Sequence, residues 1–509
     1  MSDMRVVLIC SEDFSLGITS LSAYLKSKGY EVKVIFDPKQ FEKSYSQNKF
    51  LANLFARRDL ILREIETFKP DIVGFSVFTS NYQWALKMAR AVKKVIKVPI
   101  IFGGVHTTLV PETVISEDAV DMVCVGEGEE PLAELLQCLE LGKMSYSVKN
   151  IWFKRDGEII KNEIRPLMQD LDALPFPDRD DLYAQLPRSY SKYPIILTSY
   201  GCPYRCTYCA NNAIATVYKG KGKYLRRRSP IHVTAEIKAI KSRYKPKYII
   251  FMDDLFTFDK EWLEEFAPMY ASEIGLPYSC LSHTKFLDNE ICELLKKSGC
   301  NMLLLGLQSG SESIRREVLK RPETNDEYRK ATRRLKEQGI KFSLDNILNI
   351  PFDTEETIKE SLEFYNELRP DIIHSFDLIY FPKTEIINHG IKAGMLEAQA
   401  ADSINRGLFK GYMNLQFNSQ GNFKKYALLF TSLPLIPPSI VKKIINSAKW
   451  MNFLERLPTI FVLIAKFIIN IRAGTGFIFF TVLRNEWFYL RNTVYQKWVL
   501  RQGLGKFLN

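Results

Sequence analysis

The strongest constraint on the fold is an alternation of strand and helix patterns that occurs twice along the 509-residue chain. In the first 145 residues, short β-rich runs alternate with helical patterns such as 82–97, whose apolar residues share one face. This alternation predicts a doubly wound, Rossmann-like parallel sheet with helices on both faces. The predicted strands lie near residues 4–10, 31–36, 71–77, 98–102 and 121–125.

The alternation resumes near residue 192 with six strands, which predicts a partial (β/α)6 TIM-like barrel. The whole chain is therefore predicted to be α/β. In both kinds of sheet the chemistry gathers at the carboxyl ends of the strands, so functional residues are expected there. The barrel strands are predicted at residues 193–199, 247–252, 276–281, 300–306, 340–348 and 372–380.

The first barrel strand runs into a turn that carries three cysteines, Cys202, Cys206 and Cys209. Three thiolates on one short loop can each bind a different iron of a four-iron, four-sulfur cluster, which leaves the fourth iron open. An open metal position is where a substrate or cofactor binds. A structural zinc site needs a fourth ligand, and no second Cys or His pair lies nearby. The odd total of nine cysteines disfavours a set of disulfides.

This loop resembles that of the radical S-adenosylmethionine (SAM) enzymes, with Tyr208 as the aromatic residue before the last cysteine. The resemblance implies that Cys202, Cys206 and Cys209 hold a 4Fe-4S cluster, and that an electron from the cluster cleaves SAM to a 5′-deoxyadenosyl radical. Of the neighbouring Asp253 and Asp254, only one is expected to face SAM, because side chains alternate in an extended chain. The implied SAM contacts are Tyr208, Asp253, Asp254, Gln308, Ser309 and Arg329, and Lys320 and Arg321 are further candidates, with Arg329, to pair with the SAM carboxylate.

The chain departs from that family at two glycine positions of the barrel. Relatives have Gly-x-Pro-Gly after the fifth strand, where this chain has Asn349 and Phe352 in place of the glycines. They also tend to have Pro-Gly-Thr after the sixth strand, where this chain has Lys383. The first departure concerns the packing of the adenine.

Glycine-rich or polar runs follow four of the five strands predicted in the first half, at residues 12–17, 76–79, 103–108 and 126–129. Glycine lets a backbone approach a bulky ligand closely, although each run alone is typical of a turn. Together the runs resemble the cobalamin-binding domain that precedes the barrel in class B radical SAM methyltransferase-like proteins. The implied cobalamin contacts are Gly17, Ser76, Thr79, Gly103, Gly104, His106, Gly126, Glu127 and Gly128.

One feature of the older cobalamin motif, Asp-x-His-x-x-Gly, is missing. At the equivalent place the chain has Glu12, Phe14 and Gly17, so the glycine is kept and the histidine that would lie beneath cobalt is not. His106 does not fit the motif, and a structural role is favoured for it. We therefore expect cobalt to lack a protein imidazole, which favours transfer of a methyl group as a radical.

Four regions are predicted: a cobalamin-binding domain at 1–145, a linker with an Asp-Gly hairpin at 146–190, a radical SAM barrel at 191–400 and a basic, apolar helical region at 401–509. Much of the net charge of +12 lies in the last region, because residues 441–509 hold eleven lysines and arginines against two glutamates. The apolar run 457–471 is too short to span a bilayer. The region is interpreted either as a helical cap on the barrel or as a site of peripheral contact with an anionic membrane or a lipid-like substrate.

The sequence thus predicts a cytoplasmic, cobalamin-dependent radical SAM enzyme that methylates an unactivated carbon. Its predicted cofactors are a 4Fe-4S cluster, SAM and cobalamin, and its predicted partners are a small-molecule or lipid-like substrate and an electron donor such as flavodoxin or ferredoxin. Nucleic acid is not expected, because no recognition fold accompanies the charge. The alternatives are a radical SAM cyclase or rearranging enzyme without net methyl transfer, and a non-catalytic sensor that binds cobalamin or a cluster.

Overall fold

The structure is a computed structural model that describes residues 4–13, 15–42, 48–143, 145–408, 424–458, 460–474 and 477–501. It contains two large parallel sheets, one in each half of the chain, and a set of C-terminal helices. The α/β class predicted from the sequence is therefore confirmed.

The first sheet has the strand order β2-β1-β3-β4-β5-β6-β7, and its first five strands run parallel. Helices cover both faces, and a separate apolar core fills the space on each side. The strands are β1 (Arg5–Cys10), β2 (Glu31–Phe36), β3 (Ile72–Ser76), β4 (Ile100–Gly103), β5 (Met122–Cys124), β6 (Ile151–Arg155) and β7 (Glu158–Ile160). The helices are α1 (Leu16–Ser27), α2 (Lys49–Leu54), α3 (Arg58–Phe68), α4 (Tyr82–Val95), α5 (Val105–Leu109), α6 (Pro111–Ile115) and α7 (Glu129–Glu140).

The predicted Asp-Gly hairpin forms and adds two antiparallel strands to this sheet. Strand β6 pairs with β5, and β7 pairs with β6. Asp156 and Gly157 form the turn with φ of 50° and 84°, which is the left-handed backbone that a two-residue hairpin requires. The hairpin is thus part of the first sheet rather than a free connector.

A short connector leads from the hairpin to the barrel through the helices α8 (Asp180–Gln185) and α9 (Arg188–Lys192). The connector is fastened by Arg179, whose guanidinium lies 2.6 Å from the carboxylate of Glu236. Arg228 contacts the other oxygen of the same carboxylate at 2.5 Å. Because Glu236 is buried and lies between two arginines, the connector is joined firmly to the barrel.

The second sheet has six parallel strands in the order β15-β14-β13-β12-β11-β8, as the partial barrel requires. Its strands are β8 (Ile195–Ile196), β11 (Ile249–Phe251), β12 (Tyr278–Ser282), β13 (Cys300–Gln308), β14 (Lys341–Leu348) and β15 (Ile372–Asp377). A small antiparallel pair, β9 (Ser199–Tyr200) and β10 (Arg226–Arg227), lies beside it. The helices of this half are α10 (Ala210–Val217), α11 (Pro230–Tyr244), α12 (Lys260–Glu273), α13 (Asn289–Lys297), α14 (Asn325–Glu337), α15 (Glu355–Leu368), α16 (Ile386–Lys392) and α17 (Ala400–Asn405).

The first barrel strand is shorter than predicted. The prediction covered residues 193–199, but β8 ends at Ile196 and the chain turns into the β9–β10 pair. Thr198 gives its backbone N–H to Asp253 Oδ1 at 2.9 Å instead of to a neighbouring strand. A side-chain acceptor therefore ends the ladder and directs the chain toward the cysteines.

Helices α18 (Lys424–Ser432), α19 (Pro438–Ile445), α20 (Ala448–Arg456), α21 (Ile460–Ala473) and α22 (Phe477–Arg501) follow the barrel. Helices α18 and α19 complete the apolar core around the outer strands, and α21 places Ile469 and Ala473 against Met302 and Ile372. Helix α22 returns to the first domain, where Tyr489 packs on Phe36 with ring centroids 5.9 Å apart. Within the ranges that the structure describes, each helix is too short or too polar to cross a bilayer.

Candidate functional site

The cysteine loop connects the β9 strand to helix α10. Gly201 begins it with φ of 90°, and a Cβ atom there would lie 2.4 Å from the carbonyl oxygen of Tyr224. Only glycine fits such a close approach in this conformation. The three cysteines that follow, Cys202, Cys206 and Cys209, are free thiols.

The three thiols lie close enough to influence one another's ionisation. Burial raises the pKa of Cys202 to about 12, and the neighbouring Asp254 and the other two thiols add to the effect. Burial likewise raises the pKa of Cys209 to about 11 and raises that of Cys206. Cys206 is buried and the other two cysteines are partly buried, so three thiolates together need compensating positive charge, which iron ions bound by cysteine sulfur supply. The donor set therefore fits a 4Fe-4S cluster.

Arg321, which the sequence offers beside Lys320 and Arg329 as a candidate partner of the SAM carboxylate, lies directly behind the loop. Its Nη1 is 3.8 Å from Cys206 Sγ and 3.3 Å from the hydroxyl of Tyr208. Its Nη2 contacts Glu323 Oε1 at 2.6 Å, and His283 Nε2 lies 2.6 Å from the same oxygen. Burial opposes ionisation of Glu323, but the hydrogen bond from His283 and the charge of Arg321 lower its pKa to about 2.

The same network reaches the other end of the loop. The rings of Tyr204 and His283 stack with centroids 4.2 Å apart, and Glu323 is almost fully buried beneath them. A series of contacting side chains thus supports the part of the loop between Cys202 and Cys206. We call Arg321, Glu323, His283 and Tyr204 the arginine network.

The two aspartates after strand β11 point in different directions, as alternation predicts. Asp253 is buried and accepts hydrogen bonds from the hydroxyls of Thr198 and Ser199 at 2.8 Å and 2.6 Å. Asp254 points toward the loop, where its carboxylate accepts a hydrogen bond from Asn211 Nδ2 at 2.6 Å. Asp253 therefore braces the strand, whereas Asp254 is available to a ligand.

Asp254 is surrounded by protein atoms but open to the space above the cysteines. This partial desolvation raises its pKa to about 6, and the hydrogen bond from Asn211 opposes the rise. A cationic amine placed nearby would favour its ionised form.

The three remaining predicted SAM contacts lie in different places. Gln308 has φ of 68°, and its amide folds back over Gly306 toward the side of Arg321. Ser309 turns toward helix α15, where its hydroxyl is 3.2 Å from that of Ser361. Arg329 is not brought to the loop. It lies on the outer side of α14 and pairs with Glu367 at 2.6 Å, because the neighbouring Tyr328 takes the buried side of the helix.

At the positions where the family has glycine and this chain does not, the backbone still has the positive φ that glycine favours. Asn349, Phe352 and Lys383 have φ of 61°, 67° and 61°. Asparagine tolerates this left-handed conformation, but a Phe or Lys residue there costs about 1–2 kcal/mol. The loop geometry is therefore retained at the expense of local strain.

A cavity of about 380 Å³ lies between the carboxyl ends of the first sheet and the cysteine loop. Tyr200, Gly201 and Asn211 line it on the barrel side. On the other side it is lined by seven of the nine predicted cobalamin contacts, which are Gly17, Ser76, Gly103, Gly104, Gly126, Glu127 and Gly128. One cavity thus joins the predicted cobalamin site to the residue that precedes Cys202.

The floor of this cavity is made of glycine backbone. Gly104 has φ of 101°, and a Cβ atom there would lie 2.8 Å from the carbonyl oxygen of Val77. Gly126 has φ of 93°, and its Cβ would lie 1.9 Å from the hydroxyl of Tyr218. At Gly17 a Cβ would meet no atom within 4 Å and would stand in the cavity. A flat, bulky ligand such as a corrin fits this floor.

Two predicted cobalamin contacts, Thr79 and His106, do not line the cavity. His106 is fully buried, with its Nδ1 at 3.1 Å from Thr79 Oγ1 and its ring packed on Tyr82 at 4.4 Å. Burial lowers the pKa of His106 to about 3, so its imidazole is neutral. No histidine of the described residues lines the cavity, whereas Phe14 lies outside those residues.

Glu127 joins the two domains. Its carboxylate contacts Arg226 at 2.6 Å, and its backbone N–H donates to the hydroxyl of Tyr218 at 2.7 Å. Both partners belong to the barrel half, and both line the cavity. No pattern in the sequence indicates Tyr218 or Arg226, because they lie about 90 to 100 residues from Glu127 along the chain.

Comparison with known proteins identifies the same two modules. The family model of the B12 binding domain matches residues 6–136, and that of the Radical SAM superfamily matches residues 196–365. An uncharacterized methyltransferase of Pyrococcus horikoshii is 26% identical over 344 residues, which cover 66% of this chain and 72% of that protein. The anaerobic magnesium-protoporphyrin IX monomethyl ester cyclase of Rubrivivax gelatinosus is 23% identical over 368 residues, which cover 70% of this chain and only 62% of the cyclase.

Among solved structures, the cobalamin-dependent S-adenosylmethionine radical enzyme OxsB with aqua-cobalamin bound has a similar fold. The superposition has a TM-score of 0.63 at 14% identity and covers 99% of this chain and 82% of OxsB. The similarity of fold includes the C-terminal helices.

The fold, the three-cysteine loop and the glycine-floored cavity define a radical SAM enzyme with an N-terminal cobalamin-binding domain. The chain belongs to the family of cobalamin-binding-domain-containing radical SAM proteins, within which it is methyltransferase-like. The cofactors of this family are a 4Fe-4S cluster, SAM and cobalamin. The family and the cofactors predicted from the sequence are therefore confirmed.

Proposed function

We propose that this enzyme transfers a methyl group to an unactivated carbon of a small or lipid-like molecule. The observation that supports the proposal is the single cavity, which touches both the glycine floor and the residue before Cys202. When bound, the cluster supplies an electron for SAM cleavage and cobalamin carries the methyl group. A shared cavity would let a substrate reach both cofactors without leaving the protein.

Each part of the site has a proposed role. The cluster would be held by Cys202, Cys206 and Cys209. Asp254, which is positioned by Asn211, would accept a hydrogen bond from the amine of SAM. Tyr208 and the arginine network would keep the loop in place. We also keep the division of the chain at residues 145, 190 and 400 as a proposal for its domains.

The alternative within enzymes is a ring-forming or rearranging reaction with the same cofactors, which the similarity to the cyclase favours. Mass analysis of the product distinguishes the two. Methyl transfer adds one methylene unit to the substrate and yields S-adenosylhomocysteine, whereas a cyclase removes hydrogens or adds oxygen.

The first test is Cys206→Ala in the anaerobically reconstituted protein. We expect loss of bound iron and of 5′-deoxyadenosine formation, because Cys206 is one of three cluster ligands. Cys138→Ala is the matched control, since Cys138 is also a free thiol but lies on α7. Full activity in Cys206→Ala would overturn the proposal, and a wild-type protein that binds cofactors without cleaving SAM would favour a sensor.

An electron donor, a cellular location and a membrane contact complete the proposal. An electron donor such as flavodoxin or ferredoxin would reduce the cluster, because SAM cleavage consumes an electron. The protein would act in the reducing cytoplasm, where a cluster persists. Its basic C-terminal region would make peripheral contact with a membrane, where a lipid-like substrate resides.

A further inference from the structure

The C-terminal helices leave large apolar side chains in solvent at regular spacing. On α21, Phe461, Ile464, Ile468 and Ile471 recur every three or four residues and are between 43% and 50% exposed. The opposite side of α21 is buried, because residues such as Ile469 pack against the barrel. The helix therefore carries a second apolar stripe, for which the described residues provide no cover.

The helices next to α21 show the same pattern with aromatic residues. Helix α22 contacts α21 and exposes Trp487, Tyr495 and Trp498 on one side, with Trp487 at 65%. Helix α20 packs on α18 beside α21 and exposes Trp450 and Phe453. Buried aromatics would indicate a core, but these side chains are about half exposed or more.

The first domain extends this surface. Lys497 on α22 donates a hydrogen bond to the carbonyl oxygen of Leu54 at 2.8 Å, which places α2 beside the end of α22. On α2, Leu54 is 54% exposed and Phe50 is 74% exposed. We define the docking face as the exposed apolar side of α20, α21 and α22 together with α2.

Basic residues are interleaved with the aromatics of the docking face. Lys449 and Arg456 lie four residues before and three residues after Phe453, on the same side of α20, and both are exposed. Arg491 lies four residues after Trp487 and is also exposed. The region from 441 to 509 has a net charge of +9 in the sequence, and these three exposed residues bring part of that positive charge to the apolar surface.

We infer that the docking face binds the surface of a bilayer that contains anionic lipids. Tryptophan and tyrosine prefer the headgroup level of a bilayer, and lysine and arginine are attracted by anionic headgroups. A second copy of the chain fits less well, because a twofold interface would place this basic face against itself.

The inference deepens the proposed membrane contact and rests on it. The buried side of α21 packs on Ile372 of β15 and on Met302 of β13, so a bilayer on its exposed side would lie next to the barrel wall.

The test is flotation of the full-length protein with vesicles of phosphatidylglycerol and phosphatidylcholine, compared with phosphatidylcholine alone. We expect binding to the anionic vesicles only, weakened by salt. The double variant Ile464→Gln/Ile468→Gln should lower the fraction bound at least tenfold, and Lys449→Gln/Arg491→Gln should reduce the dependence on salt. Ile231→Gln is the control, because Ile231 is 70% exposed but lies on α11 of the barrel.

Two outcomes would overturn the inference. One is the absence of binding to anionic vesicles at about 0.1 M salt. The other is a stable dimer in light scattering that Ile464→Gln/Ile468→Gln converts to a monomer. Formation of 5′-deoxyadenosine is measured in the same samples and should not change in any of these variants. Failure of the membrane inference is therefore separate from failure of the proposed methyl transfer.

Discussion

The two sides of the cofactor cavity are built in different ways. The side that belongs to the first domain includes the backbone of the loops that follow its strands, with glycines such as Gly104 and Gly126 at positive φ. The side that carries the cysteines is supported by buried charge, with Arg321 and Glu323 beneath the loop. A backbone floor excludes side chains to admit a flat ligand, whereas a charged support can also influence the properties of a metal cluster.

The largest effect is expected from Arg321→Met. The substitution removes the partner of a buried carboxylate, so we expect the free energy of unfolding to fall by about 3–5 kcal/mol in urea denaturation. The cluster should also become harder to reduce, because a positive charge and an N–H donor near Cys206 Sγ are lost. A redox titration followed by electron paramagnetic resonance measures that change.

Arg329→Met is the matched control for Arg321→Met. Arg329 also pairs with a glutamate, but its ion pair with Glu367 is exposed, so its loss should cost about 0–1 kcal/mol. The reduction potential should not move. An equal shift of potential in both variants would mean that the arginine network has no special effect on the cluster.

The next largest effect is expected on the backbone side, from Gly126→Ala. The new Cβ would require positive φ and would meet the Tyr218 hydroxyl at 1.9 Å, so we expect a loss of about 2–4 kcal/mol. Titration with cobalamin, followed by its visible spectrum, should show much weaker binding.

Gly142→Ala separates backbone strain from the steric clash. Gly142 also has positive φ, 64°, but a Cβ there meets nothing within 4 Å. We expect a loss of only about 1 kcal/mol from strain and unchanged cobalamin binding. If Gly142→Ala weakened cobalamin binding as much as Gly126→Ala, the close fit of the floor would not be the cause.

The same difference explains what the sequence could predict. The contacts on the backbone side could be predicted from the sequence, because a single glycine after a strand indicates that the backbone comes close to a ligand or to another segment. Seven of the predicted contacts line the cavity. Only part of the side that carries the cysteines could be predicted from the sequence. The spacing of the cysteines is local, but Arg321 and Glu323 follow strand β13 whereas His283 follows β12, and one-dimensional patterns cannot show which charge is buried. For that reason Lys320, Arg321 and Arg329 were all candidates for the SAM carboxylate and Arg329 was chosen as the contact, whereas the structure places Arg321 rather than Arg329 at the loop.

Backbone strain in the loops of the barrel could not be predicted from the sequence either. The replacement of glycine by Phe352 and Lys383 indicated altered loops, yet both residues keep positive φ. Surrounding contacts therefore determine the backbone there, against the local preference of the residue.

The smallest effect is a pH dependence on the barrel side. Asp345 lies on β14, and burial raises the pKa of its carboxyl to about 7, although the charge of Arg321 opposes the rise. Because its pKa is raised in the folded state, Asp345 contributes most to the free energy of unfolding at a pH below the usual pKa of an aspartate. That contribution is lost as the pH rises through about 7. We expect the free energy of unfolding of Asp345→Asn to exceed that of the wild type by about 2 kcal/mol at pH 8, because this partly accessible group realises less than the full shift, and to equal it at pH 4.

Urea unfolding at the two pH values measures the difference, with Glu337→Gln, which changes an exposed carboxylate on α14, as the control. Equal gains at both pH values would show that Asp345→Asn acts through packing rather than through the proton, and the pH dependence assigned to the barrel side would then lose its support.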